Sequence, residues 1–264
     1  TTVSSWNELK NAISNGGDIQ LTSNITAGTG DYSFNVTRDV TIDLNGYTID
    51  RNLNVQQDNV FSVMTDGTLI IKGMSGSPVL QNGKIIGGWA NEDYAGCINV
   101  SGGTLILESG NIVGNRSNST FTKRGGGVAL FYNGTFIMRG GKISENKAGY
   151  GAGVVGLDNC KFIMTGGEIT ENICDFGDYQ DQDGAGVFAY QGADVTIGGS
   201  AKIYGNKNSN GENSNLYIYR YNSSEKINLS TTVPLTTGAK IGVGYYQPYG
   251  KNEIPLADSG KKFK

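Results

Sequence analysis

Residues 153–172 read GVVGLDNCKFIMTGGEITEN, and residues 127–146 read GVALFYNGTFIMRGGKISEN. The two stretches have one length and one order of apolar, glycine and asparagine positions. Residues 96–115, GCINVSGGTLILESGNIVGN, and residues 186–206, GVFAYQGADVTIGGSAKIYGN, follow the same outline. A degenerate copy begins at 215 with NLYIYRYNSSEKINL and ends with AKIGV at 239–243. The clear copies open on Gly96, Gly127, Gly153 and Gly186 and close on Asn115, Asn146, Asn172 and Asn206. Three of them are equally long, and the fourth is one residue longer.

Each copy carries three short strand signals separated by glycine-rich turns. The middle signal alternates, with Leu105 and Leu107, Phe136 and Met138, Phe162 and Met164, and Val195 and Ile197. A period of two means that one face is buried. The third signal holds a lone isoleucine at Ile112, Ile143, Ile169, Ile203 and Ile241. Three strands this short cannot bury an apolar face alone. Stacking successive copies solves the problem, each strand pairing in parallel with its counterpart one coil on, about 4.8 Å away. The closing asparagines then fall in a column, and their amides can bond from coil to coil.

The rest of the chain fits the same coil. DVTIDLNGYTID (39–50) and DGTLIIKG (66–73) read as earlier, less regular turns of it. The start differs. Ser5 and Glu8 stand at capping-box spacing, Trp6, Leu9 and Ile13 share one helical face, and Gly16 and Gly17 stop the helix. A short amphipathic helix ahead of a β-coil covers its open end. The expected fold is an all-β parallel β-helix. Its parts are a capping helix over 1–17, the coil over 18–243, and a tail or cap over 244–264.

Composition narrows the function. The chain has 264 residues, 41 of them glycine, no histidine and a net charge of −3. Serine and cysteine nucleophiles generally need a histidine base, so those schemes fail. The charge argues against nucleic acid, and no apolar run reaches the roughly 20 residues of a membrane helix. With no leader in sight, the chain reads as a mature or excised fragment of a larger multidomain surface protein. Cys97, Cys160 and Cys174 lack metal-ligand spacing and read as small buried hydrophobes.

The pattern G-[GA]-G-V … I-x-x-N resembles the repeat of right-handed parallel β-helix proteins of the pectin-lyase-like superfamily. It is also similar to the repeats of bacterial surface adhesins and autotransporter passenger domains. VTIDLNGYTI and LTTGAKIGV resemble segments of Gram-positive cell-surface β-helices. The resemblance implies this fold for most of the chain. It leaves function open, because such proteins include polysaccharide lyases, tailspikes and non-catalytic adhesins.

Between the copies lie RSNSTFTKRGG, KAGYGA, ICDFGDYQDQDGA and, after Asn206, KNSNGENS. They fall at one corner of the coil, where loops can carry function or simply be tolerated. Asp175, Asp178, Asp181 and Asp183 lie within nine residues, with Gly177 and Gly184 for sharp turns, and could hold calcium, although an exposed acidic loop reads first as solvated. The resemblance to lyases implies calcium at such clusters and a basic proton acceptor, for which Lys123 and Arg124 stand nearby. A glycosidase needs two carboxylates. Glu145 and Glu171 hold one position in adjacent coils, and Asp181 is a further acidic candidate. The repeat itself, SEN and TEN, supplies both glutamates, and Gly114 and Gly205 stand there in the flanking copies. Lys142, Glu168 and Lys202 read as a structural charge ladder.

Aromatic residues gather in the first strand. One column holds Val100, Phe131, Leu157, Tyr190 and Tyr219, and another holds Ile98, Ala129, Val155, Phe188 and Tyr217. The smaller residues between them suit a narrow interior. The aromatic set then faces outward as a stripe of Phe131, Phe188, Tyr190, Tyr217 and Tyr219, with Tyr132 and Tyr221 beside it. Either a sugar or protein partner covers such a stripe, or a loop or the tail with its GYYQPYG does. The leading expectation is a secreted or wall-attached bacterial domain that binds a glycan or host protein without catalysis and needs no cofactor. The alternatives are a carbohydrate-active enzyme using its acids, with or without calcium, and a plain stalk.

Overall fold

A computed structural model describes residues 1–73, 83–90, 95–117, 124–157, 159–175, 184–190, 192–219, 228–230, 233–247 and 250–254. Within a coil the chain runs through a first strand such as Val128–Phe131, a second such as Thr135–Met138, a third such as Lys142–Ser144 and a fourth such as Lys147–Ala148. Equivalent strands of successive coils pair in parallel. They build sheets of nine, nine, eight and four described strands. The molecule is a parallel β-solenoid.

Repetition becomes stacking in space. Thr104, Thr135, Lys161 and Asp194 stand in register, and so do Leu105, Phe136, Phe162 and Val195. The lone isoleucines form one column from Ile25 through Ile49, Ile85, Ile112, Ile143, Ile169 and Ile203 to Ile241. All but the last are fully buried. Each buried isoleucine contributes about 1.5–3 kcal/mol, so this column alone is a large share of what holds the coil together.

The asparagine column is a continuous ladder. Asn115 Nδ2 donates to Asn146 Oδ1 at 3.0 Å, Asn146 Nδ2 to Asn172 Oδ1 at 3.0 Å, and Asn172 Nδ2 to Asn206 Oδ1 at 2.9 Å. Each Oδ1 also accepts from the backbone N–H one coil back, at 3.0–3.1 Å. The opening glycines sit under the next coil. A Cβ on Gly127, Gly153 or Gly186 would lie 2.6, 2.4 or 2.4 Å from the carbonyl oxygen of Gly153, Gly186 or Asn215, and 3.2, 3.1 or 2.7 Å from the Nδ2 of the asparagine that closes the same copy.

Asn215 ends the ladder from an unexpected place. It stands opposite Gly186, one residue before the paired Val187 and Leu216. Its Oδ1 accepts from both the N–H and Nδ2 of Asn206 at 3.1 Å. An asparagine in the opening position thus supplies the amide that a closing asparagine supplies in the other copies.

The two termini of the coil are finished differently. The helix Trp6–Asn15 is capped by Ser5, whose Oγ accepts from Glu8 N–H, and stops at Gly16 with φ 78°. The Glu8 carboxylate reaches back to Ser4 N–H at 2.7 Å. Trp6, Leu9, Ala12 and Ile13 are buried, and Trp6 stacks on Phe34 at 4.2 Å. A strand at Thr2–Val3 precedes the helix and pairs with Gly17–Leu21. At the other end Val243–Gln247 continues the first sheet in parallel, and Gly250–Ile254 turns back antiparallel beside it.

Three sequence expectations need correction. The counterpart of Gly127 in the preceding copy is Cys97, not Gly96, because Ile98 pairs with Val128. Ile98 and Val100 therefore face the core, and Asn99 and Ser101 take their place in the outward columns. The first copy makes its turn with one residue fewer, Gly102–Gly103 against Tyr132–Asn133–Gly134, and only pairing across the sheet reveals the slip. Second, the supposed loops begin with a fourth strand, whose second residues Ser117, Ala148 and Cys174 are buried. Two-residue strands are too short to show a period. Third, Lys142 pairs with Glu171 at 2.8 Å rather than with Glu168. The three cysteines are buried, as expected.

Candidate functional site

The outer face of the first sheet carries two columns. One runs Asn35, Ser62, Asn99, Ala129, Val155, Phe188, Tyr217. The other starts Met64, Ser101, Phe131 and continues through Leu157, Tyr190 and Tyr219. Leu157 N–H and Tyr190 N–H extend the ladder by donating to Leu130 O and Gly156 O at 3.2 and 2.9 Å. Ala129, Val155, Leu157, Phe188 and Tyr217 form a cluster of their own, separate from the interior. The stripe is thus outside the coil, as its residue sizes implied.

Much of it is roofed by the chain itself. Gly125, Gly151 and Gly184, with φ of 66°, 54° and 73°, end three of the corner loops. Ideal Cβ atoms there would lie 2.9 Å from Ala129 Cβ, 2.7 Å from Val155 Cβ and 2.9 Å from Phe188 Cβ. Glycine is needed because the returning backbone lies directly on the first column, and the left-handed turn suits it. That column is buried from Asn99 to Tyr217. In the second column Phe131, Tyr190 and Tyr219 are half-buried, Met64 is exposed, and Leu157, between Phe131 and Tyr190, is buried. What stays open is a ledge one side chain wide, with Tyr132 beside it at 70% exposure.

The rings on the ledge are stacked. Tyr190 and Tyr219 lie 5.3 Å apart with planes 8° from parallel. Two parallel rings side by side would need roughly 7 Å between centres for van der Waals contact, so these overlap face on face. Phe188 is the hub beneath them, 6.4 Å from Tyr190, 6.0 Å from Tyr219, 5.8 Å from Tyr217 and 5.4 Å from Tyr150. A ligand on the ledge therefore meets ring edges rather than ring faces.

The acidic candidates look different. Glu145 and Glu171 are exposed turn residues with φ of 58° and 60°, and Gly114 and Gly205 occupy the same place at 69° and 66°. The position requires a left-handed backbone, which glycine adopts without cost. The Glu171 carboxylate is held by Lys142 Nζ at 2.8 Å, and that bond holds the Lys142 ammonium above its usual range. Glu168 accepts from Lys202 at 2.8 Å, which holds its carboxyl below the usual range. Replacing Glu145 with glycine is expected to raise stability by about 0.5–1 kcal/mol through relief of the left-handed backbone. A rise in the urea midpoint checks it.

Asp175 pairs with Lys147 at 3.0 Å. Asp178, Asp181, Asp183, Lys123 and Tyr221 lie outside the described residues, while Arg124 pairs its backbone with Tyr150. Among the described residues no group of three or more acids, cysteines or histidines is placed to hold a metal ion. An open groove of about 350 Å³ lies on the second sheet, lined by Asp18, Thr41, Asp43 and Lys72 among others. Asp43 there is already engaged by Gln20 Nε2 and Asn45 N–H, at 3.3 and 2.8 Å. No described helix is long and apolar enough to cross a membrane. No protein-family model, curated protein or solved structure matches the chain.

Proposed function

We propose that this chain is a non-catalytic binding domain of a bacterial surface protein, holding a glycan or a host protein on the ledge of the first sheet. Its repeat resembles those of extracellular β-helix adhesins, and an extracellular or wall-attached setting goes with this reading. The observation that carries it is the half-exposed Tyr190–Tyr219 stack, in one column with the Phe131–Tyr132 pair across the buried Leu157. A rigid sheet fixes these aromatics before any ligand arrives, which lowers the ordering cost of binding. The acids support catalysis less well, because the Glu171 carboxylate is tied to Lys142.

Changing Tyr190 and Tyr219 together to alanine is expected to weaken binding to an arrayed glycan or host-cell ligand at least about tenfold, with the fold retained. Assays on acidic polysaccharides and chromogenic glycosides, with and without a chelator, test the enzyme reading. Turnover abolished by Glu171→Gln or Asp181→Asn would replace the binding proposal with a catalytic one.

A further inference from the structure

Charge is distributed by face. The outer columns of the second sheet carry Asp39, Lys161 and Asp194, and Asp43 and Lys72. Those of the third sheet carry Lys84, Lys142, Glu168, Lys202 and Lys240. From Asn35 to Tyr217 and from Met64 to Tyr219 the outer columns of the first sheet carry no charged side chain; beyond them the register runs through Gly244 to Glu253 and through Tyr246 to Lys251, so charge returns only at the C-terminal edge of the sheet. Its N-terminal part is amide and hydroxyl, and its C-terminal part is aromatic. The described segments flanking these strands bring Arg38, Asp58, Asp66 and Arg124 to its borders, with Asp58 paired to Arg51 at 3.8 Å. Glu92, Asp93, Lys123, Asp158, Asp178, Asp181, Asp183 and Arg220 lie outside the described residues.

Size separates a protein partner from a polymer chain. From Met64 to Tyr219 the column crosses five coil intervals, about 24 Å at the usual strand spacing, with the buried Leu157 interrupting its open side chains between Phe131 and Tyr190. With the first column roofed, its width is about 7 Å, one same-face step along a strand. The resulting area of about 170 Å² falls well short of the roughly 800 Å² per partner of a stable protein interface. A strip this long and narrow suits one extended chain rather than a globular partner. The ring edges carry the positive end of the aromatic quadrupole and favour hydroxyl oxygens.

Building on the binding function proposed above, we infer that the occupant is an uncharged, extended polysaccharide lying along the coil axis. It is neither a uronate polymer nor a protein. The experiment titrates the full chain with a neutral β-linked glucan oligomer and with oligogalacturonate, each at roughly 50 and 500 mM salt. Neutral-glucan binding that changes less than about twofold with salt, and that falls at least about tenfold in the Tyr190→Ala/Tyr219→Ala variant, is the expected result. Binding to oligogalacturonate alone, weakening with salt, overturns the neutral assignment and leaves glycan binding standing. Binding to neither, by a chain whose thermal transition shows it folded, overturns the inference. Capture of a host protein in that case, lost in the same double variant, leaves the ledge as a binding site but makes its ligand a protein.

Discussion

Asn146→Ala is expected to lower the melting temperature by about 10 °C, more than any surface change in this chain. The wild-type amide makes four bonds in a site with no solvent exposure. Its Oδ1 accepts from Asn115 N–H and Nδ2, both at 3.0 Å, and its Nδ2 donates to Ile112 O at 3.1 Å and Asn172 Oδ1 at 3.0 Å. Alanine strands Asn115 N–H and Ile112 O in the dry interior. Each orphaned buried group costs about 1–3 kcal/mol, so the total is about 3–4 kcal/mol. For a chain this size that corresponds to roughly 10 °C by thermal circular dichroism. A melting curve that overlays the wild type would show that the ladder holds nothing together.

Asn146→Asp sharpens the test. A carboxylate places an acceptor where Nδ2 faced Ile112 O and Asn172 Oδ1, and it buries a charge. Its folded pKa must rise above the unfolded value. A raised carboxyl pKa favours the fold at low pH, so this variant gains stability as pH falls from about 7 to 4. Glu168 works in the opposite sense. Its folded pKa is lowered by Lys202, so its contribution is present above the unfolded pKa and lost as pH falls through the folded one. Opposite slopes of stability against pH in the two proteins are the expected signature.

The second large effect is Phe136→Ala, at about 3–5 kcal/mol. Phe136 is fully buried between Leu105 and Phe162 in the column, with its ring 5.3 Å from that of Phe162. A solenoid coil touches chiefly its neighbours, so the cavity cannot be shared across a wide core. Hydrogen exchange should therefore rise most in the coils of Leu105, Phe136 and Phe162. Ile137→Ala is the control, since Ile137 lies half-exposed on the opposite face of the same strand, and it should cost about 1 kcal/mol or less. Equal losses for the two would mean that inward and outward have been assigned wrongly.

The sequence announces some of this and hides the rest for physical reasons. Phe136, Phe162 and Val195 could be placed in one column because strands of four residues alternate visibly. Asn146 and Asn172 could be placed in a ladder because they recur at a fixed distance from the isoleucine. Asn215 escaped notice because it does in the opening position what other asparagines do at the end. The fourth strand escaped because two residues have no period. The turn at Gly102–Gly103 shifted the apparent frame by one, and a one-residue slip turns every side chain in a strand to the other face.

The candidate ledge divides the same way. That Phe131, Phe188, Tyr190, Tyr217 and Tyr219 point away from the core follows from alternation, a local property of each strand. Whether they are open depends on Gly125, Gly151 and Gly184, whose backbones fold over the first column. Glycine is legible as a turn, but the surface it turns onto is set by contacts between segments far apart in space. The pairing of Lys142 with Glu171 rather than Glu168 was decided likewise, by a left-handed turn in the next coil. By itself the sequence determined the solenoid, its inward columns and its amide ladder, because periodic burial needs only the order of residues. Tertiary structure alone decided what remains exposed, because covering a surface requires a second piece of chain to arrive there.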